Sequence, residues 1–108
     1  MEPEARTVEL ATPDGPMPAY EVIPAEPKGA LVVVQEAFGV NGHIQDVTRR
    51  FADAGYHAIA PSLFHRTGSP ELGYEDFSKV MPHMQAVTDE KILADIDAAI
   101  THLSAAGL

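Results

Sequence analysis

Cysteine is absent from all 108 residues, and so is tryptophan. Without a thiol, this stretch holds no disulfide scaffold, no thiolate-ligated metal and no cysteine nucleophile. Basic residues are scarce: 7 Lys and Arg stand against 16 Asp and Glu, a formal charge of −9. A surface that acidic repels phosphate backbones and anionic lipid, which argues against nucleic-acid and membrane-surface partners. Long apolar runs are also missing, and none approaches the roughly 20 residues of a bilayer span. The opening MEPEARTVEL is acidic, with no basic segment leading into an apolar one, so it does not read as a secretory signal. The expectation is a cytoplasmic chain.

What is present is ordinary globular composition, 45% hydrophobic and 21% charged, enough for one small domain with a modest core. Arg6 to Leu10 and Met17 to Ile23 alternate well enough for two short strands, and Asp14-Gly15 between them signals a hairpin turn. Ala30 to Val34 is unbroken and β-branched, the pattern of a strand covered on both faces in a parallel sheet. Asn41 can cap a helix whose apolar positions are Ile44, Val47, Phe51 and Ala54, and Gly55 can close it. Tyr56 to Ala60 is the next strand, so residues 30–66 predict a βαβ unit. A polar loop with Gly68, Pro70 and Gly73 follows. Phe77, Val80, Met81 and Met84 share a helical face that Pro82 should break or kink. Thr88 caps a final helix with the stripe Ile92, Ile96, Ala99, Ile100 and Leu103. The predicted organisation is one α/β domain over 1–108: hairpin and loop at 1–29, βαβ core at 30–66, helices at 67–108.

Within this frame, VVVQEAFGVNGHIQDVTRRFADAGYHAIAPSLFHR resembles the first βαβ unit of the dienelactone hydrolase family, a branch of the α/β-hydrolases. The resembling features are the apolar strand, Gln35-Glu36, a bulky apolar pair, Gly39-Val40-Asn41, the helix, Gly55-Tyr56, and a strand running into Pro61 and Leu63. The resemblance spans roughly residues 6 to 108 and is strongest from 30 to 66. It implies the N-terminal half of an α/β-hydrolase fold with a mainly parallel sheet. It also implies an enzyme that opens esters or lactones with a nucleophile–His–Asp triad, the nucleophile on a G-x-[nucleophile]-x-G elbow. No cofactor is implied.

By the resemblance, Glu36 lies beside the nucleophile and helps control its protonation, and the backbone N–H of Ala37 points into the oxyanion hole. From position alone, the plainer reading of Glu36 is a solvated carboxylate where a strand leaves the sheet. Parallel strands do, however, deliver ligand-contacting groups at their carboxyl ends. Phe38 reads as a substrate-pocket wall or a core residue. His65 and Arg66, after the second parallel strand, are candidates for the pocket rim, with Arg66 able to hold a substrate carboxylate bidentately. A surface loop pair is the plainer reading of both. His43, His57, His83 and His102 show no metal-ligand spacing, and no metal is expected.

The sequence departs from the family pattern in one respect. It has no Cys, and none of Ser62, Ser69, Ser78 and Ser104 has glycine two residues away on both sides. The triad is therefore expected outside these residues, and the strand at 30–36 is expected to lie at an open sheet edge. Three explanations follow: the front half of a longer hydrolase, a chain that pairs with a second polypeptide supplying the elbow, or a non-catalytic module that self-associates through its edge.

Overall fold

The computed structural model describes residues 3–70, 72 and 77–107, apart from the side chain of Phe77. The expected loop glycine Gly73 and the Phe77 side chain lie outside the described residues.

Strands β1 (Glu4–Thr12) and β2 (Gly15–Ile23) form the hairpin, with Thr12 opposite Gly15 across the Asp14-Gly15 turn. Strand β3 (Gly29–Val32), helix α1 (Gly42–Asp53) and strand β4 (Tyr56–Pro61) form the βαβ unit. A single 3₁₀ turn (His65–Thr67), helix α2 (Phe77–Gln85) and helix α3 (Asp89–Ala105) follow. The sheet order is β1-β2-β4-β3. Only β3 and β4 run parallel, while β1-β2 and β2-β4 are antiparallel. The sheet is thus mixed, and the expectation of a mainly parallel one does not hold for the described strands: two of their three pairings belong to the hairpin and its docking on β4.

Strand periodicity explains the layers. Successive residues of β4 point to opposite faces, so Ile59 joins Leu10, Met17, Ala19, Ala99 and Leu103 under α3. Ala58 and Ala60 join Val33 and Ile44 under α1. Both faces of β4 are covered, and its interior positions are fully buried.

The caps fall where the sequence puts them. The Asn41 side chain accepts the Ile44 N–H at 3.1 Å, and the Thr88 hydroxyl accepts from Lys91 N–H at 3.3 Å. Gly55 takes φ +103° after α1, a conformation a side chain would strain.

Three expectations about helix faces change. The buried line of α1 is Ile44, Thr48 and Ala52, while Phe51 is 40% exposed. Thr48 can be buried because its hydroxyl donates to the Ile44 carbonyl at 2.7 Å. In α3 Asp95 is buried and Ile100 is half exposed. Helix α2 runs through Pro82 and ends three residues later. Pro82 and Ser78 are both exposed, so the hydrogen bond that Pro82 cannot make is lost on a solvated face.

Candidate active site

The parallel pair parts company where the site begins. Strand β3 ends at Val32, and one further backbone bond, Val33 N–H to Ile59 O at 2.8 Å, extends the pairing. Beyond it the side chain of Gln35 takes over. Its Oε1 accepts the Leu63 N–H at 2.7 Å, and its Nε2 donates to the Glu36 carbonyl at 3.1 Å. Gln35 is buried, and both ends of its amide are satisfied by main chain. It therefore acts as a spacer that fixes the exits of β3 and β4 relative to one another. The chain then turns sharply: Gly39 N–H donates to Glu36 O at 3.4 Å, and Gly39 adopts φ +84°. That positive φ is why glycine stands there, and the turn delivers Asn41 to the start of α1.

These exits form one end of a cleft of about 320 Å³. Val34, Gln35, Glu36 and Ala37 come from the β3 exit, Leu63 and Phe64 from the β4 exit. Met84 and Val87 come from the end of α2 and its following loop, Asp89 and Ile92 from the start of α3. The cleft is lined mainly by apolar side chains, and Glu36 stands exposed at its mouth. Among the described residues no hydrogen bond engages the Ala37 N–H. Of the expected site residues, Glu36 and Ala37 are brought together at this cleft.

The other three lie elsewhere. Phe38 does not line the cleft, and its carbonyl accepts from Leu72 N–H at 2.9 Å. The aromatic ring that does line it is Phe64, stacked on His83 at 5.4 Å between centroids. His65 and Arg66 are neither pocket rim nor surface pair: their side chains are 1% and 10% exposed. His65 Nε2 donates to Asp95 Oδ1 at 3.1 Å, and Arg66 spans both Asp95 oxygens at 2.9 Å each. Its Nε donates to Asp14 at 2.6 Å. The hydrogen bonds that Arg66 donates to Asp95 raise its pKa above the ordinary value, outweighing burial, with help from Asp14. The guanidinium expected to hold a substrate carboxylate is committed to two carboxylates of its own chain.

A second polar cluster sits between the sheet and α3. Glu21 is fully buried and accepts from Arg6 Nε, from His57 Nε2 and from His102 Nε2. Burial pushes the Glu21 carboxyl up, but these three hydrogen bonds together hold it below its ordinary 4.5. His57 Nδ1, on the far side of that ring, is buried without a partner among the described residues. Among those residues no group of three or more His, Asp or Glu is placed to hold a metal ion.

Sequence reading missed both buried carboxylates, although each left a trace. Glu21 follows Met17 and Ala19 at two-residue spacing, so alternation puts it on the inward face. Asp95 falls inside the stripe from Ile92 to Leu103.

A sheet covered on both faces, with a cleft at the carboxyl ends of its parallel pair, defines an α/β fold whose cleft lies where such sheets bind ligands. Residues 17–107 match the dienelactone hydrolase family, and the chain belongs to it. It is 39% identical over 105 residues to a carboxymethylenebutenolidase-named protein of Methylorubrum extorquens, covering 95% of this chain and 36% of that one. To the protein of the same name from Escherichia coli it is 45% identical over 85 residues, covering 75% of this chain and 31% of that one. A dienelactone hydrolase crystal structure from Klebsiella pneumoniae superposes with a TM-score of 0.81 at 32% identity. That match covers 96% of this chain and 45% of the other, and the described strands and helices correspond to the N-terminal portion of its fold. The chain thus spans about a third of the length of these curated relatives.

Proposed function

We propose that this chain forms one wall of a centre that hydrolyses carboxylic esters or lactones, with a nucleophile–His–Asp triad contributed by residues outside these 108. The observation that carries the reading is the meeting of Glu36 and the Ala37 main chain at an apolar cleft on the carboxyl ends of β3 and β4. In that centre Glu36 is the charge partner of the nucleophile. Attack on the ester carbonyl places negative charge on its oxygen, and a donor such as the Ala37 N–H is worth most at that moment. The acyl–oxygen bond then breaks, the leaving oxygen takes a proton, and water releases the acid from the acylated nucleophile.

Two assays with 4-nitrophenyl acetate test this. The chain by itself is expected to give neither burst nor turnover. A hybrid in which residues 17–107 replace the corresponding segment of the Klebsiella pneumoniae protein is expected to hydrolyse the ester. A burst from the chain alone contradicts the proposal, as does a folded but inert hybrid. The alternative is a strand-pairing module using the outer edge of β3, which no described strand covers and beside which Val34 is 50% exposed. A chain that runs as a stable dimer on sizing, together with an inert hybrid, favours it.

A further inference from the structure

We infer that Gln35 is a positioning residue of the ester-cleaving centre: its side-chain amide fixes the peptide between Glu36 and Ala37 and thereby aims the Ala37 N–H. This rests on the hydrolase reading above, in which that N–H is an oxyanion donor, and adds the group that holds it.

The Glu36 carbonyl and the Ala37 N–H belong to one planar peptide unit, and among the described residues no peptide bond is cis. In a trans unit the two point in opposite directions, so whatever grips the oxygen sets where the hydrogen points. Two donors grip it, Gln35 Nε2 at 3.1 Å and Gly39 N–H at 3.4 Å. The second is longer than the usual range, so Gln35 supplies the firmer hold. The Ala37 N–H faces away from both donors, with no acceptor among the described residues, on a stretch that lines the cleft.

The Gln35 amide is itself fixed. Leu63 N–H can only donate and the Glu36 carbonyl can only accept, so the oxygen and nitrogen ends have a single arrangement. The 2.7 Å bond from Leu63 ties the amide to the exit of β4, and Gln35 is only 9% exposed, so water competes little for either bond. A hydrogen bond to a peptide oxygen also polarises the unit and strengthens its N–H as a donor, by about 10–30%. Spacing the two strand exits needs only the bond with Leu63. The bond to Glu36 is surplus to that role, and a peptide whose N–H meets developing charge gives it a purpose.

Gln35→Met keeps the length of the side chain and removes both hydrogen bonds. In the isotopically labelled 108-residue chain, the Ala37 N–H order parameter should be about 0.85 in the parent and below about 0.6 in the variant, with Leu31 and Ile59 unmoved. In the hybrid that hydrolyses 4-nitrophenyl acetate, the same change should lower kcat about tenfold with KM within about twofold, as loss of an interaction made only in the transition state does. Outright removal of an oxyanion donor costs about a hundredfold or more, and Gly39 still holds the peptide in part. A measurement on the parent chain covers a variant that does not fold: the Gln35 side-chain N–H should exchange with solvent about fivefold slower than that of the exposed Gln85. A rigid Ala37 N–H in the folded variant, a hybrid kcat within about threefold of its parent, or a Gln35 amide that exchanges as fast as that of Gln85 each overturns the positioning role. All three leave the hydrolase reading standing. A folded hybrid that is inert before Gln35 is changed takes down the hydrolase reading, and the positioning role with it.

Discussion

Asp95→Ala is expected to lower the unfolding midpoint by about 15 °C, the counterpart of a loss of about 3 kcal/mol in a domain of this size. Asp95 is fully buried in α3, yet it reaches the segment after β4 through His65 and through the two terminal guanidinium nitrogens of Arg66. Removing the carboxylate takes the acceptor from two nitrogens of a guanidinium that is only 10% exposed, leaving it Asp14 alone, and from an imidazole that is 1% exposed. Leaving buried donors without an acceptor is the expensive outcome, far more so than the loss of a surface ion pair. Asp95→Asn keeps the volume and one acceptor oxygen, so it should fall between the alanine variant and the parent. The consequence reaches the cleft. Leu63 and Phe64 just precede His65 and Arg66, and Asp89 and Ile92 lie one to two turns before Asp95, so this network holds two cleft walls together. Thermal unfolding followed by circular dichroism measures the effect, and a shift below about 3 °C for the alanine variant would show the network to be energetically idle.

Glu21→Gln is expected to cost about 3 kcal/mol near neutral pH and to flatten the acid limb of the stability curve. Three donors converge on Glu21: Arg6 from β1, His57 from β4 and His102 from α3. A glutamine in its place offers one oxygen instead of two and turns an NH₂ toward donors, so at least one of the three donors loses its acceptor. In the folded chain the carboxyl titrates below its ordinary 4.5, despite burial, because of those hydrogen bonds. As pH falls below about 4.5 the unfolded chain takes up the proton first, so stability drops with pH until the folded carboxyl protonates too. Asp14, held below its ordinary 3.8 by its hydrogen bond from Arg66, acts in the same direction. The parent should therefore lose stability steeply below about pH 4.5, and Glu21→Gln should retain only the shallower share that Asp14 and other carboxylates contribute. Urea unfolding from pH 3 to 7 supplies the comparison, and parallel curves for parent and variant would contradict the assignment.

The fold was legible wherever one local signal sufficed. Asp14-Gly15 marked the hairpin, Asn41 and Gly55 bracketed α1, and Thr88 opened α3 as its hydroxyl suggested. Gln35-Glu36 at the end of an apolar strand pointed to the cleft that the folded chain forms there. What escaped were interactions between residues far apart in sequence. Glu21 and His102 are separated by 81 positions and meet only because α3 packs across the sheet. Asp95 lies within an apolar stripe, and nothing local announces that Arg66 and His65 will neutralise it. His65 and Arg66 were placed by their position after a strand, but their direction depends on that same distant carboxylate. Gln35 was visible as part of a motif, while its role as a hydrogen-bonded spacer needed the position of Leu63.

The hybrid carrying Glu36→Gln provides the sharpest measurement, its kcat for 4-nitrophenyl acetate compared with that of the unaltered hybrid across pH. Glu36 stands exposed at the cleft mouth and makes no buried ion pair among the described residues, so the substitution should leave folding intact. The expected result is a kcat lowered about a hundredfold with KM little changed, and a pH profile altered in shape, as loss of a group that manages the nucleophile's proton requires. An unchanged kcat and an unchanged pH profile in a folded, active hybrid would show that Glu36 takes no part in ester hydrolysis.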